Sequence, residues 1–311
     1  MKRLYCNLFG MIALVVLICV GIDLLSMRGY TRDLIARLTD SEEYFENNGP
    51  EIINPIIRKA QIEDGTTVLI LGDSVAHQIF DGLSDANEDV AILPSNAAVT
   101  IAGQYVIAKE YLDHHPDATD IYLCVLPESL GRTFDTQWGY QYAVLPFIET
   151  DTLDDFDDNT IQIMNDTYGG LFMNKRIATA VDSSGINRKL YLNYIREQGD
   201  GYTPEDFYEL SDQYLVKLAD LCKESGVKFH LIPCPVSEAK REQVAEYEAD
   251  YEDSKTAQVF PAFYRKVIYY PEEYFGDEIH FSEQYRSRKF LNSVIVDMID
   301  DTELLKMLRI Q

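Results

Sequence analysis

A serine lies at the predicted end of a buried strand in the stretch TTVLILGDSVAHQIF, residues 66–80. Four consecutive apolar residues, 68–71, precede Gly-Asp-Ser, and a helix-compatible run follows. At such a junction, backbone N–H groups and the positive end of the helix dipole can stabilise an oxyanion. Serine is also a favoured helix cap. The pattern therefore predicts an ordinary cap at Ser74, a nucleophile, or a serine that serves as both.

A nucleophilic serine needs a base, and the stretch FGDEIHFSEQYR near the C-terminus offers one. Asp277 precedes His280 by three residues, so the carboxylate can hold the imidazole in the tautomer that accepts the serine proton. His77 is an alternative base. Its position on the same short helix as Ser74 gives a poor approach to the serine Oγ, and His280 is preferred.

The elements that must position these residues alternate along the chain. Short, continuously apolar segments rich in β-branched residues are separated by helical segments, which indicates a parallel sheet covered on both faces. The predicted strands are residues 67–71, 89–93, 120–126 and 227–233, and the predicted helices are 75–83, 99–114 and one that ends on Gly226. The fold class is therefore α/β, with about 250 residues in one domain, 66–311.

Two segments depart from this alternation. Residues 127–203 are rich in aromatic and acidic residues and are interpreted as an insertion over one end of the sheet, helical near 174–198. The C-terminal helix is predicted to be amphipathic, with Ser282 as its N-cap. Residues 28–65 are polar and are predicted to form a helical stalk.

An uncharged, apolar run occupies residues 8–22, with Lys2 and Arg3 in front of it. It is either a signal peptide or a short signal anchor. Because no cleavage site with small residues is evident after Val20, residues 1–27 are predicted to be an uncleaved single-pass transmembrane anchor. An extracytoplasmic domain is the simpler orientation.

The charge balance excludes some functions. With 27 basic and 52 acidic residues, the formal net charge is −25, which argues against nucleic acid as a partner. Repulsion also disfavours a polyanionic polymer as substrate. Three cysteines outside the N-terminal run, Cys124, Cys222 and Cys234, show no metal-ligand spacing and are predicted to be buried free thiols. No metal and no cofactor is expected.

Gly72-Asp73-Ser74 after the first strand and Asp277-x-x-His280 before the last helix resemble the first and last blocks of the SGNH (GDSL-type) hydrolases and acyltransferases. The resemblance follows the order of elements from about residue 66 onward. It implies a flavodoxin-like three-layer αβα fold, with Ser74 as nucleophile, His280 as base and Asp277 as its orienting carboxylate. Membrane-anchored relatives of this kind add or remove acyl groups on extracellular polysaccharides, often beside a multi-pass acyl-transfer protein.

The middle blocks differ from the family pattern. Where the family has an oxyanion-hole glycine, this chain has PSNAAVTIAGQY, with Asn96 in the loop and Gly103 in the predicted helix. Where the family has Gly-x-Asn-Asp, it has Pro-Glu-Ser at 127–129, and Glu128 is a candidate substrate contact. The expected oxyanion donors are the Ser74 N–H and either Asn96 or another backbone N–H.

The leading hypothesis is a membrane-anchored serine esterase or O-acyltransferase acting on acyl, typically acetyl, esters of an extracytoplasmic glycan through an acyl-enzyme. The alternative is a catalytically weak or inactive accessory protein that binds a glycan or a membrane acyl-transfer partner. A purely structural envelope protein, with both motifs coincidental, is the least favoured interpretation.

Overall fold

The computed structural model describes residues 9–15, 17–18, 21, 50–83, 88–95, 99–182, 185–199, 205 and 207–310. Most of the predicted anchor (1–27) and the first part of the predicted stalk therefore lie outside the described residues. Residues 9–15, 17–18 and 21 are helical. Within the described part of the chain, no helix is both long enough and apolar enough to cross a membrane.

A parallel sheet of four strands forms the centre of the described structure, in the spatial order β2-β1-β3-β4. The strands are β1 (Val68–Gly72), β2 (Val90–Ile92), β3 (Asp120–Val125) and β4 (Lys228–Pro233). A separate parallel pair consists of β5 (Val236–Ser237) and β6 (Tyr269–Tyr270). The four predicted strands are confirmed to within two residues at each end.

Helices surround this sheet. They are α1 (Pro50–Ala60), α2 (Ser74–Phe80), α3 (Ile101–His114), α4 (Leu145–Glu149), α5 (Asp158–Tyr168), α6 (Lys175–Asp182), α7 (Gly185–Gln198), α8 (Glu209–Glu224), α9 (Arg241–Glu252), α10 (Lys255–Val259), α11 (Arg288–Met298) and α12 (Thr302–Met307). Helix α3 packs against α8, and α2 packs against α11.

Continuous burial shows that both faces of the sheet are covered. All five residues of β1 are buried, although successive side chains of a strand point to opposite faces. A strand exposed on one face would alternate between buried and exposed positions. The α/β class and the central parallel sheet flanked by helices are therefore as the sequence predicts. Cys124, Cys222 and Cys234 are buried free thiols, which confirms that prediction.

The C-terminal helix begins later than predicted. Ser282 precedes only a short 3-10 turn and its side chain makes no capping hydrogen bond. Helix α11 starts at Arg288, and its N-cap is Ser287, whose Oγ accepts a hydrogen bond from the Phe290 N–H. The prediction that Ser282 caps this helix is wrong because two serines precede the apolar stripe, and the sequence pattern does not distinguish between them.

Part of the predicted stalk belongs to the folded domain. Helix α1 packs against α3 and α4, and Ile53, Ile57 and Ala60 have no solvent exposure. A solvated stalk would leave these side chains in water. The domain therefore reaches back at least to Pro50, about fifteen residues before the boundary that the sequence suggested.

A buried polar cluster ties α1 to the inserted helices. Asp182 and Arg188 form an ion pair and are almost fully buried. Asn54 of α1 donates a hydrogen bond through Nδ2 to Glu149 of α4, with a distance of 2.8 Å. Burial, reinforced by the negative charge of Asp182, raises the pKa of the Glu149 carboxyl to about 7.

This raised pKa makes stability depend on pH. The Glu149 pKa is higher in the folded protein than in the unfolded chain, so folding takes up a proton between about pH 4.5 and 7. The contribution of Glu149 to stability is therefore greatest below that window and is lost as the pH rises through it. We expect Glu149→Gln to raise the melting temperature relative to wild type more at about pH 8 than at about pH 5.

Melting curves across this pH range test that expectation. Exposed Glu224 on α8, changed to Gln, is the matched control for the loss of one carboxylate. A difference between Glu149→Gln and wild type that stays constant with pH would contradict the assignment.

Candidate functional site

The site begins at the tip of β1, where Gly72 allows three segments to approach closely. A Cβ built on Gly72 would lie 2.2 Å from the carbonyl oxygen of Cys124 in β3 and 2.4 Å from the Cβ of Ala76 in α2. Only glycine, which has no Cβ, leaves room for this approach. The Gly72 carbonyl also accepts a hydrogen bond from the Gln104 Nε2, at 3.0 Å.

Asp73, the next residue, is the N-cap of α2. Its Oδ1 accepts hydrogen bonds from the N–H groups of Val75 and Ala76, at 3.0 and 3.2 Å. The capping interpretation of Ser74 is therefore wrong: the carboxylate of the preceding residue takes the free helical N–H groups, and Ser74 is the first residue inside the helix. The Ser74 hydroxyl is left free for another partner.

The second carboxylate oxygen of Asp73 binds the loop after β3. Oδ2 accepts hydrogen bonds from the Leu126 N–H at 2.6 Å and from the Ser129 hydroxyl at 2.7 Å. Burial raises the pKa of the Asp73 carboxyl, and the four donors act in the opposite direction by stabilising its charge. Sequence reasoning did not assign a role to Ser129, because the motif around it offered no signal for this contact.

Ser74, His280 and Asp277 form a continuous hydrogen-bonded chain. The Ser74 Oγ lies 2.8 Å from the His280 Nε2, although the two residues are 206 positions apart. The His280 Nδ1 lies 2.9 Å from the Asp277 Oδ2. With Nδ1–H donated to the carboxylate, Nε2 is left to accept the serine proton, which is the tautomer that a general base requires.

Asp277 is held in its charged form by its own loop. Burial by itself raises the pKa of this carboxyl, but hydrogen bonds from the backbone N–H groups of His280 and Ile279, together with the imidazole, hold the pKa below its usual range. An ionised carboxylate at neutral pH can both orient the imidazole and stabilise the imidazolium that proton transfer creates.

The loop that carries Asp277 and His280 is a tight hairpin. Phe275 and Phe281 pair in an antiparallel bridge, and their rings stack with centroids 4.9 Å apart. The Gly276 N–H donates to the His280 carbonyl at 2.9 Å. Phe281 is fully buried, so the hairpin is anchored in the core while the carboxylate of Asp277 stays largely exposed.

Gln78 joins this hairpin to the helix of the serine. Its Nε2 donates to the Phe281 carbonyl at 3.2 Å, and its Oε1 accepts from the Phe281 N–H at 2.8 Å. Gln78 lies four residues after Ser74, on the same helical face, and Phe281 directly follows His280. The amide thereby fixes the position of His280 relative to Ser74. The only sequence signal for this role was that spacing.

Arg288, the first residue of α11, attaches that helix to α2. Its two terminal nitrogens each donate, at 2.6 Å, to a carbonyl at the C-terminal end of α2, those of Asp81 and Ile79. Carbonyls at a helix end lack partners within the helix, so a cation there is favourable.

An open cavity of about 590 Å³ adjoins the serine and the histidine. It is lined by Ser74, His77, Gln78, Asp81, Gly82, Asp277, His280, Arg286, Arg288 and Leu291. His77 therefore faces the same space, but Ser74 hydrogen-bonds to His280 instead. Burial lowers the pKa of the His77 imidazole, so it is neutral at physiological pH.

The other residues suggested by the sequence lie elsewhere or outside the described structure. The Gly103 N–H donates to the Thr100 Oγ1, the N-cap of α3, so it is not available as an oxyanion donor. A Cβ on Gly103 would lie 2.6 Å from Val99, which gives this glycine a packing role. Asn96 is outside the described residues. Glu128 forms an ion pair with Lys240 at 2.8 Å and does not line the cavity.

Of the predicted oxyanion donors, the Ser74 N–H is among the described residues. The backbone N–H of Ser74 makes no hydrogen bond to another described residue, and it lies at the N-terminus of α2. An oxygen that developed negative charge beside the Ser74 Oγ would meet this N–H and the positive end of the helix.

Comparison with models of known protein families, with curated proteins and with solved structures gives no match to this chain. The functional interpretation therefore depends on the geometry of the site and on the sequence motifs.

The contact between Gln78 and Phe281 can be tested without an assay of enzymatic activity. We expect Gln78→Met to remove both hydrogen bonds to Phe281 and to speed amide hydrogen exchange in residues 275–282 by about tenfold, because a lost hydrogen bond costs on the order of 1 kcal/mol. Hydrogen-exchange mass spectrometry of that peptide measures the effect. The control is Gln162→Met on the exposed face of α5. Unchanged exchange in residues 275–282 would show that the hairpin holds its position without Gln78.

Proposed function

We propose that this protein is a serine esterase or O-acyltransferase of the SGNH type. The observation that carries the proposal is the chain of two hydrogen bonds from Ser74 through His280 to Asp277, which opens onto a cavity at the tip of a parallel sheet. Ligands of open α/β sheets bind beyond the carboxyl ends of the strands, which is where Ser74 lies.

Acyl transfer follows from this geometry in two balanced steps. The Ser74 Oγ attacks the ester carbonyl while its proton passes to the His280 Nε2, and the resulting oxyanion faces the Ser74 N–H. When the tetrahedral intermediate collapses, the ester C–O bond breaks and the alcohol leaves with the proton from His280. The product is an acyl-enzyme on Ser74.

The acyl-enzyme is then resolved by the same base. His280 takes a proton from a water molecule or from a sugar hydroxyl, whose oxygen attacks the acyl carbonyl, and Ser74 recovers its proton. Water makes the protein an esterase, and a hydroxyl acceptor makes it a transferase. Both routes use the same residues.

The proposed substrate is an acyl ester, such as an acetyl ester, on an extracytoplasmic glycan. Two sequence features support this setting: the apolar run at 8–22 behind Lys2 and Arg3, which suits a membrane anchor, and the net charge of −25, which suits an extracellular environment. A multi-pass acyl-transfer protein in the same membrane is the proposed partner, since it would supply acyl groups from the other side.

A fluorophosphonate probe tests the nucleophile directly. We expect the full-length protein to be labelled at Ser74 and Ser74→Ala to abolish labelling. We expect His280→Ala and Asp277→Asn each to slow labelling by about 10²–10⁴, because the serine loses its base or the base loses its tautomer. Intact-mass spectrometry over time gives the rates.

Two matched controls separate catalysis from folding. Ser293→Ala removes a helical serine outside the cavity, and His230→Gln alters a second His–Asp pair, in which the His230 Nε2 lies 2.9 Å from the Asp120 Oδ1. Both are expected to label at the wild-type rate. Absent labelling of a folded wild-type protein, or labelling that persists in Ser74→Ala, would contradict the proposal.

The alternative of an inactive accessory protein predicts a different result in cells. It draws on the short set of oxyanion donors, since Gly103 is engaged by Thr100. If Ser74→Ala preserved glycan acylation while removal of the whole protein abolished it, binding rather than catalysis would be the function.

A further inference from the structure

Arg286 places a positive charge in the cavity of the proposed nucleophile. The residue is exposed and lines the cavity together with Ser74 and His280. Its Nε donates to the Phe281 carbonyl at 2.7 Å, so the guanidinium is held beside the residue that follows the base. Within the described part of the chain, no carboxylate forms an ion pair with it. Its two terminal nitrogens, which carry four of the five N–H donors of the guanidinium, are thus left for a ligand.

The other charges of the cavity are already engaged. Arg288 uses its Nε on Asn292 and both terminal nitrogens on the end of α2, and the negative charge of Asp81 acts on it. Asp277 is bonded to the His280 imidazole. Counted without the imidazoles, the two carboxylates of the lining, Asp81 and Asp277, balance the two guanidinium groups, Arg286 and Arg288, in formal charge. Of these two guanidinium groups, only that of Arg286 has terminal nitrogens without a partner among the described residues.

We propose that Arg286 binds an anionic group, a carboxylate or a phosphate, on the ester substrate and so selects anionic esters over neutral ones. The inference deepens the proposed function and rests on it, because an ester is a substrate only if Ser74 acts as proposed. A guanidinium suits this role because its planar fork matches both oxyanions bidentately. The bound group lies on the acyl or the alcohol portion of the ester.

A single anionic group is compatible with the acidity of the whole chain. The net charge of −25 repels polyanions at long range, but salt screens that field beyond about 8–10 Å. A guanidinium in direct contact acts at much shorter range. The site is therefore suited to a small ester or a glycan unit with an isolated acidic group, and not to a densely charged polymer.

Binding of paired amide analogues tests Arg286 without any chemistry. N-(4-nitrophenyl)succinamate carries a carboxylate on the acyl side, 4-acetamidobenzoate carries one on the other side, and 4-acetamidophenyl phosphate carries a phosphate there. Neutral 4-nitroacetanilide is the reference. We expect at least one anionic analogue to bind the full-length protein about tenfold or more tightly than the reference, with a preference that weakens at high salt.

The variants decide whether Arg286 causes the preference. We expect Arg286→Gln to reduce the ratio of anionic to neutral affinity by about tenfold and Arg286→Lys to restore part of it. We expect Lys289→Gln, which removes an equal charge three residues further along the chain and outside the cavity, to leave the ratio at the wild-type value. Equal binding of all analogues, or a ratio unchanged in Arg286→Gln, would overturn the proposal.

Turnover of 4-nitrophenyl acetate and 4-nitrophenyl hemisuccinate, each compared with Ser74→Ala, separates the two proposals. Ser74-dependent turnover without an Arg286-dependent preference leaves the esterase and removes the anion site. An Arg286-dependent binding preference without Ser74-dependent turnover leaves an anion-binding cavity and removes the esterase.

Discussion

The buried carboxylate of Asp73 is the interaction on which the site depends. One oxygen caps helix α2 and the other binds the loop after β3. A single side chain therefore fixes the positions of the end of β1, the start of α2 and this loop relative to one another. Gly72 makes this possible, because any side chain there would collide with the Cys124 carbonyl. A buried carboxylate without these donors would be very costly, and its four hydrogen bonds are what allow it to remain.

This arrangement frees the Ser74 hydroxyl for a partner outside its own helix. Because Asp73 satisfies the first N–H groups of α2, the Ser74 hydroxyl does not have to turn back to its own helix. It turns instead to His280, which comes from a hairpin built on a stacked pair of phenylalanines. Gln78 and Arg288 then hold the hairpin and α11 to α2 through backbone groups, so the contact between Ser74 and His280 does not depend on Ser74, His280 and Asp277 alone.

Much of this could be predicted from the sequence where a local pattern carries the information. The strands are short apolar runs, and α8 ends at Glu224, two residues before Gly226, which has a positive φ of 73° that favours glycine. The nucleophile and base could be proposed because both lie at element junctions with the right residue types. Errors occurred where two residues met the same local rule: Asp73 rather than Ser74 caps α2, and Ser287 rather than Ser282 caps α11.

By itself, the sequence determined the α/β class, the presence of a parallel sheet and the candidate residues Ser74, His280 and Asp277, because hydrophobic periodicity and short motifs are local properties. Only the tertiary structure decided which histidine meets Ser74, that Gly103 serves packing, that Gln78 joins helix to hairpin, and that Arg286 shares the cavity. The contacts of Ser74 with His280 and of Gln78 with Phe281 join segments some two hundred residues apart. No local pattern encodes the distance between such segments, since it is set by how the helices and the sheet pack together.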